Sequence, residues 1–165
     1  MIGVILAAGK GRRIKNITNG LPKSFLPLGE KRLIDHQIDT LRKSGISKIV
    51  IVIGYRSELF ESSYQNDEDI ILVKNPFFDR TNVLASLWFA YNHLYSGFYF
   101  MHADTYFAPE IFGDLIQSTG SIVFAVEKKE TVPEEMKVKI ENGLITEMSK
   151  EMPCEEAYGE FTGVA

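Results

Sequence analysis

Met1-Ile2-Gly3-Val4-Ile5-Leu6-Ala7-Ala8-Gly9-Lys10-Gly11-Arg12-Arg13, followed downstream by Pro22-Lys23, is the stretch on which the reading of this chain turns. A continuous apolar run passes directly into small residues and glycines, as a buried strand of a parallel sheet passes into a loop at its carboxyl end. Two arginines and then a lysine able to fold back over the loop follow. Backbone that can be approached without Cβ atoms in the way, exposed N–H donors and nearby cations are what a triphosphate requires.

The rest of the chain repeats the strand-and-helix alternation. Residues 33–44 carry Leu33, Ile34, Ile38 and Leu41 at helical spacing and are stopped by Gly45. Lys48-Ile49-Val50-Ile51-Val52-Ile53 reads as a second buried strand closed by Gly54. A short helix is expected over residues 57–64, capped by Ser57, and a third strand over 70–73. Val83, Leu84, Leu87, Trp88, Tyr91 and Leu94 recur at helical spacing, which places Trp88 and Tyr91 in the core. A fourth strand over 97–101 ends at His102-Ala103-Asp104. Residues 109–117 form a helix with proline in its first turn, and 121–126 a strand. Asn142-Gly143 joins residues 137–140 and 144–148 as a hairpin. Residues 9–28 form a loop in which Pro22 and Pro27 exclude regular structure, and loops that long are usually functional. The pattern predicts an α/β fold with parallel strands first and antiparallel strands added in the C-terminal half.

Bulk properties narrow the partners. At 165 residues the chain fits one domain with a real core, and 45% apolar with 24% charged residues excludes a disordered chain. A net charge of −4 argues against nucleic acid as partner, although a small anion needs only a local cluster of cations. Cys154 is the only cysteine, so no disulfide framework exists and a cytoplasmic location is expected. No run approaches membrane-spanning length, and the apolar start is too short for a secretory leader.

The Gly9-x-Gly11 loop is not a dinucleotide fingerprint, because Ile14 stands where the third glycine belongs and Ile53-Gly54 where an acidic ribose ligand would be. Walker-A spacing is also absent. Leu6-Ala7-Ala8-Gly9-x-Gly11-x-Arg13 with Pro22-Lys23 instead resembles the nucleotidyltransferases that make NDP-sugars and CDP-alcohols. Asn75-Pro76-Phe77-Phe78-Asp79-Arg80-Thr81-Asn82-Val83-Leu84-Ala85-Ser86-Leu87 looks like the branch acting on phosphocholine and related phosphoalcohols or phosphonates. So do Lys137-Val138-Lys139-Ile140-Glu141-Asn142-Gly143 and Gly159-Glu160-Phe161-Thr162-Gly163.

The resemblance implies a Rossmann-like, three-layer α/β/α nucleotidyltransferase fold. It also implies a cytidylyl group passing from CTP to a small phosphorylated acceptor with release of pyrophosphate. By position, Arg13 matches the family's arginine on the β- and γ-phosphates, and Lys23 its lysine at the α-phosphate. The segment Leu6, Ala7, Ala8, Gly9 and Gly11 would contact the nucleotide, with Tyr55 and Asn82 as candidates for base and ribose. Asp104 can be read as a metal ligand at the carboxyl end of a strand, or as a turn aspartate ahead of Pro109; the family places a magnesium-binding aspartate there. His102 reads as acid–base group or as structural. Lys137 matches a basic position that would meet the acceptor, against a solvated hairpin lysine. Glu160 would contact the acceptor. Tyr106, Tyr158 and Phe161 could hold a cationic alcohol by cation–π contact, or simply pack. Residues 127–139 are a solvated excursion that the family would set near the acceptor.

Two alternatives stand beside this reading: an NDP-sugar pyrophosphorylase using another NTP, and a non-catalytic nucleotide-binding module. The family supplies a second metal-binding aspartate beyond the Gly-Glu-x-x-Gly segment, and this sequence stops at Ala165. A single domain over residues 1–165, truncated at its C-terminus and with a terminal strand favouring self-association, is therefore expected.

Overall fold

The computed structural model describes residues 1–11 and 19–165; Arg13 lies outside the described residues. The chain divides into two units, Met1–Gly113 and Asp114–Ala165.

In the first unit, strands β1 (Ile2–Leu6), β4 (Ile49–Ile53), β5 (Ile70–Lys74) and β6 (Phe98–His102) form a parallel sheet in the order β5-β4-β1-β6. All five residues of the Ile-Val-Ile-Val-Ile strand are buried, as expected of an interior parallel strand covered on both faces. The two faces have different covers. Val4, Val50 and Val52 pack with Ala90 and, around them, Leu87 and Leu94, from helix α3 (Val83–Phe89) and the chain that follows it. Facing the other way, Gly3 lies against Leu41 of α1 (Leu33–Lys43), where a Cβ would stand 2.7 Å from Leu41 Cδ1. Tyr99 meets Phe112 of α4 (Pro109–Gln117) edge to face, centroids 5.2 Å apart. Helices on both faces of a parallel sheet give the three-layer α/β/α arrangement.

Helix α1 buries Ile34, Gln37, Ile38 and Leu41, one stripe at helical spacing. It ends where Gly45 turns left-handed at φ +82° and the Ile46 N–H returns to the Leu41 carbonyl. Helix α2 (Ser57–Tyr64) begins where expected, but the residue before it, Arg56, is left-handed (φ +55°), and no Ser57 cap forms. The loop over residues 9–28 is not wholly irregular: Lys23–Phe25 makes a 3₁₀ turn, and Pro27–Leu28 (β2) pairs with Lys31–Arg32 (β3).

Trp88 and Tyr91 are not core. They are 71% and 56% exposed and stack with centroids 5.4 Å apart. The segment has two apolar stripes; Leu87, Ala90 and Leu94 face the sheet, while Leu84, Trp88, Tyr91 and Tyr95 face outward. Periodicity alone cannot choose between such stripes.

The second unit holds an antiparallel sheet in the order β7-β10-β8-β9, made of Val126–Glu127, Gly159–Phe161, Lys137–Glu141 and Leu144–Ser149. The antiparallel additions thus form a sheet of their own. Asn142 and Gly143 both have positive φ (+52° and +78°), the primed turn of a tight hairpin. The strand expected over residues 121–126 shrinks to β7. Ala125 bonds Thr162 and Val164, but Gly163 at φ +88° turns the partner away and the ladder breaks.

Candidate active site

The sheet brings the ends of β1, β4 and β6 together, and the loop residues leave from there. Leu6 accepts a hydrogen bond from the Ala103 N–H at 3.2 Å and Ala7 donates to Val52 O at 2.8 Å, so the loop starts from a fixed backbone. Ala8 O accepts from the Tyr55 N–H at 3.0 Å, and the Tyr55 hydroxyl donates to Gly20 O at 3.1 Å. Tyr55 therefore ties the start of the long loop and its midpoint at Gly20 to the end of β4. Arg56 also donates to Gly20 O, at 3.3 Å. A non-glycine residue in the left-handed region costs of order 1 kcal/mol and persists only where neighbours hold it. Gly54 is required by crowding: a Cβ would sit 2.6 Å from Phe78 Cβ and 2.8 Å from Ala8 O.

Lys23 rides on the 3₁₀ turn. That turn is anchored by buried Phe25, which packs edge to face on Phe60 with centroids 4.7 Å apart and lies 4.5 Å from the Arg32 guanidinium. Arg32 is held in turn by Asp35 and Tyr64. Burial works against the Asp35 charge, but hydrogen bonds from Arg32 and Tyr64 outweigh it and hold the carboxyl below its usual range. From this base the Lys23 stem runs beneath Gly11. Gly11 has φ +59°, and a Cβ there would meet Lys23 Cγ at 2.8 Å. Lys23 Nζ ends 3.0 Å from Asp104 Oδ2, a pair whose side chains are 30% and 46% exposed. Residues 81 apart in sequence thus meet at the carboxyl edge of the parallel sheet, beside the glycine loop.

His102, just before this turn, is held below its usual value by burial, with the Asp104 charge opposing. Asn82 caps α3, its side chain accepting from the Ala85 N–H at 3.1 Å. Asn75, which opens the stretch that carries the branch resemblance but has no role assigned to it there, is buried and ties this segment together. It donates to Thr81 Oγ1 and Ser86 Oγ, both at 3.0 Å, and accepts from the Phe77 N–H. Tyr106 is exposed and meets the His36 ring.

The acceptor candidates lie in the second unit. Lys137 on β8 is the register partner of Glu160 on β10. Their side chains nevertheless bond elsewhere. Lys137 is fully buried, not a solvated hairpin lysine, and donates to Pro133 O at 2.9 Å and Glu135 O at 3.4 Å. Glu160 accepts from Lys129 at 2.9 Å, and Lys129 also donates to Glu135 at 2.6 Å. Those two carboxylates raise the Lys129 ammonium above its ordinary value. The Tyr158 ring carries Lys128 Nζ at 5.4 Å, and Phe161 packs on Phe124. Sequence spacing could not show that Glu160 is already neutralised by a lysine from the excursion.

Among the described residues no group of three or more His, Cys, Asp or Glu side chains could hold a metal. The carboxylate of Asp104, half-exposed at the sheet edge, is a hard oxygen donor of the kind that suits a divalent cation taking its remaining ligands from elsewhere. No helix among the described residues is long and apolar enough to cross a membrane.

The chain belongs to the family of the MobA-like NTP transferase domain, which it matches over residues 3–146. Among its relatives, choline-phosphate cytidylyltransferase of Streptococcus pneumoniae is 35% identical over 121 residues, 72% of this chain and 52% of that protein. CTP:phosphoglutamine cytidylyltransferase of Campylobacter jejuni is 26% identical over 178 residues, 98% of this chain and 69% of that protein. The match with the first thus spans about half of that relative's length. The inositol-1-phosphate CTP transferase of T. maritima shares the fold, with a TM-score of 0.77 at 24% identity over 98% of this chain and 68% of that one.

Proposed function

We propose that the chain carries the nucleotide-activating part of a Mg²⁺-dependent cytidylyltransferase acting on a small phosphorylated alcohol or phosphonate. The observation that supports this most is the Lys23–Asp104 pair beside the Gly9–Gly11 loop. It joins a cation suited to a phosphate with a carboxylate suited to a metal. The two relatives named as cytidylyltransferases favour CTP and a phosphorylated acceptor.

In this reading an acceptor phosphate oxygen attacks the α-phosphorus in line. A new O–Pα bond forms, the bond from Pα to the bridging oxygen breaks, and pyrophosphate leaves with that electron pair. The attacking oxygen is already anionic, so no general base is needed and His102 has no proton to take. The chain's work is positioning and neutralisation of charge. Lys23 would leave Asp104 for the α-phosphate, where negative charge builds, and Arg13 would hold the β- and γ-phosphates. Main-chain groups from Ala8 to Gly11 approach the nucleotide, with Leu6 and Ala7 fixing their origin; Tyr55 and Asn82 serve base and ribose. Tyr158 and Glu160 would belong to the acceptor side, Glu160 by exchanging Lys129 for the acceptor, and Lys137 would join them by leaving its buried bonds to Pro133 O and Glu135 O. Asp104 would hold Mg²⁺, which would supply neutralisation of the phosphate charge.

The test is a thermal-shift panel of nucleoside triphosphates with Mg²⁺, followed by pyrophosphate release with phosphocholine, other phosphoalcohols, phosphonates and sugar 1-phosphates. Stabilisation by CTP and turnover with a phosphoalcohol or phosphonate are expected. Turnover with sugar 1-phosphates alone, or CTP binding without turnover on any acceptor, would overturn the proposal.

A further inference from the structure

Helix α1 presents an apolar stripe to the sheet, and one member of that stripe is not apolar. Gln37 is 2% exposed among Ile34, Ile38 and Leu41. Its Nε2 donates to the carbonyl of His102 at 2.8 Å and to that of Thr105 at 2.7 Å. These carbonyls bracket the turn that carries Asp104, which the Thr105 N–H also closes by donating to His102 O at 3.2 Å. The amide orientation is forced by this geometry, since the opposite one would set an acceptor against two acceptors. Its Oε1 is accordingly buried without a hydrogen-bond partner among the described residues. Two converging carbonyls need two donors from one point. A carboxamide gives both without a buried charge, whereas a hydroxyl gives one and an ammonium adds a charge to desolvate.

From this we infer that Gln37 is the positioning residue for Asp104, clamping the turn from below so that the carboxylate projects to the sheet edge in one place. The inference rests on Asp104 being the metal ligand. Partners behind a ligand typically change metal affinity or activity by about 10–100-fold when removed. Among the described residues the Asp104 carboxylate bonds to Lys23 alone, so its aim depends on how its backbone is held.

The experiment compares wild type, Gln37→Met and Asp104→Asn by calorimetric titration with CTP, in excess EDTA and with Mn²⁺ as probe metal, without acceptor. The reading is the factor by which Mn²⁺ tightens CTP binding. Methionine keeps the length and apolar bulk of glutamine, so the expected result is a Gln37→Met protein that binds metal-free CTP as wild type does. Its gain from Mn²⁺ should be smaller by about tenfold, and Asp104→Asn should abolish the gain. An undiminished gain in Gln37→Met beside its loss in Asp104→Asn overturns the role of Gln37 alone. An equal fall in metal-free and metal-dependent binding overturns it too, because that marks a general structural lesion. No gain in wild type, or a full gain in Asp104→Asn, overturns the metal reading itself. If Gln37→Met does not fold, Gln37→Asn, whose amide is one methylene short of both carbonyls, is read against the same outcomes.

Discussion

Replacing Lys23 by methionine separates what the lysine does for the fold from what it does for the reaction. The ion pair with Asp104 is short, but its side chains are 30% and 46% exposed, and pairs so open to water contribute at most about 1 kcal/mol. Methionine also keeps most of the stem that crowds Gly11, so the loop retains its support. Unfolding free energy should therefore fall by no more than about 1 kcal/mol. Chemistry should suffer far more. Losing one positioned cation where charge develops in the transition state costs about 10²–10³ in kcat, or roughly 3–4 kcal/mol. The assay is pyrophosphate release from Mg²⁺ and CTP at saturating acceptor, with urea unfolding on the same preparations. The predicted signature is a large loss in kcat with a small change in KM for CTP. A loss in kcat below tenfold, or one confined to KM, would refute the reasoning; so would a loss no greater than the stability change explains.

Trp88→Ala should change stability by less than about 0.5 kcal/mol in urea unfolding, because the ring is 71% exposed; a loss of about 3 kcal/mol would return it to the core. Gly159→Ala should destabilise by about 3 kcal/mol or more, since its Cβ would stand 2.0 Å from Glu127 O; a near-neutral variant would contradict the β7–β10 packing. His102 is held below its usual value of 6.5, so the unfolded chain binds the extra proton and stability must rise with pH up to that value. Urea unfolding from about pH 5 to 7 should show a shallower slope in His102→Gln than in wild type, and an unchanged slope would contradict the burial of the imidazole.

The sheet was legible because each parallel strand is an unbroken apolar run: Ile49 to Ile53 can only be buried on both faces. The hairpin was legible because Asn142 and Gly143 are the residues a two-residue turn needs. Where two answers satisfied one pattern, the sequence could not decide. Leu84, Trp88 and Tyr91 repeat at the same spacing as Leu87 and Leu94, and only the sheet selects between the stripes. Residues 121–126 have strand-forming side chains, but a ladder depends on its partner, and Gly163 ends it. Lys23 and Asp104 could each be picked out singly, yet their contact is a product of the strand order. Asn75 and Gln37 were assigned no role for a related reason. Their partners are backbone groups or hydroxyls, which leave no pattern in a sequence. The one available hint was a glutamine interrupting an apolar helix stripe.

The central claim is that the loop, Lys23 and Asp104 serve attack of a phosphate on the α-phosphorus of CTP. It is tested most directly by ³¹P NMR of the chain with CTP, Mg²⁺ and, in turn, phosphocholine, other phosphoalcohols and phosphonates, read for turnover with any of them. The account predicts pyrophosphate together with two new coupled diphosphate resonances, from the cytidylyl phosphorus joined to the acceptor phosphorus. Unchanged CTP, or CMP and pyrophosphate without that coupled pair, would contradict it.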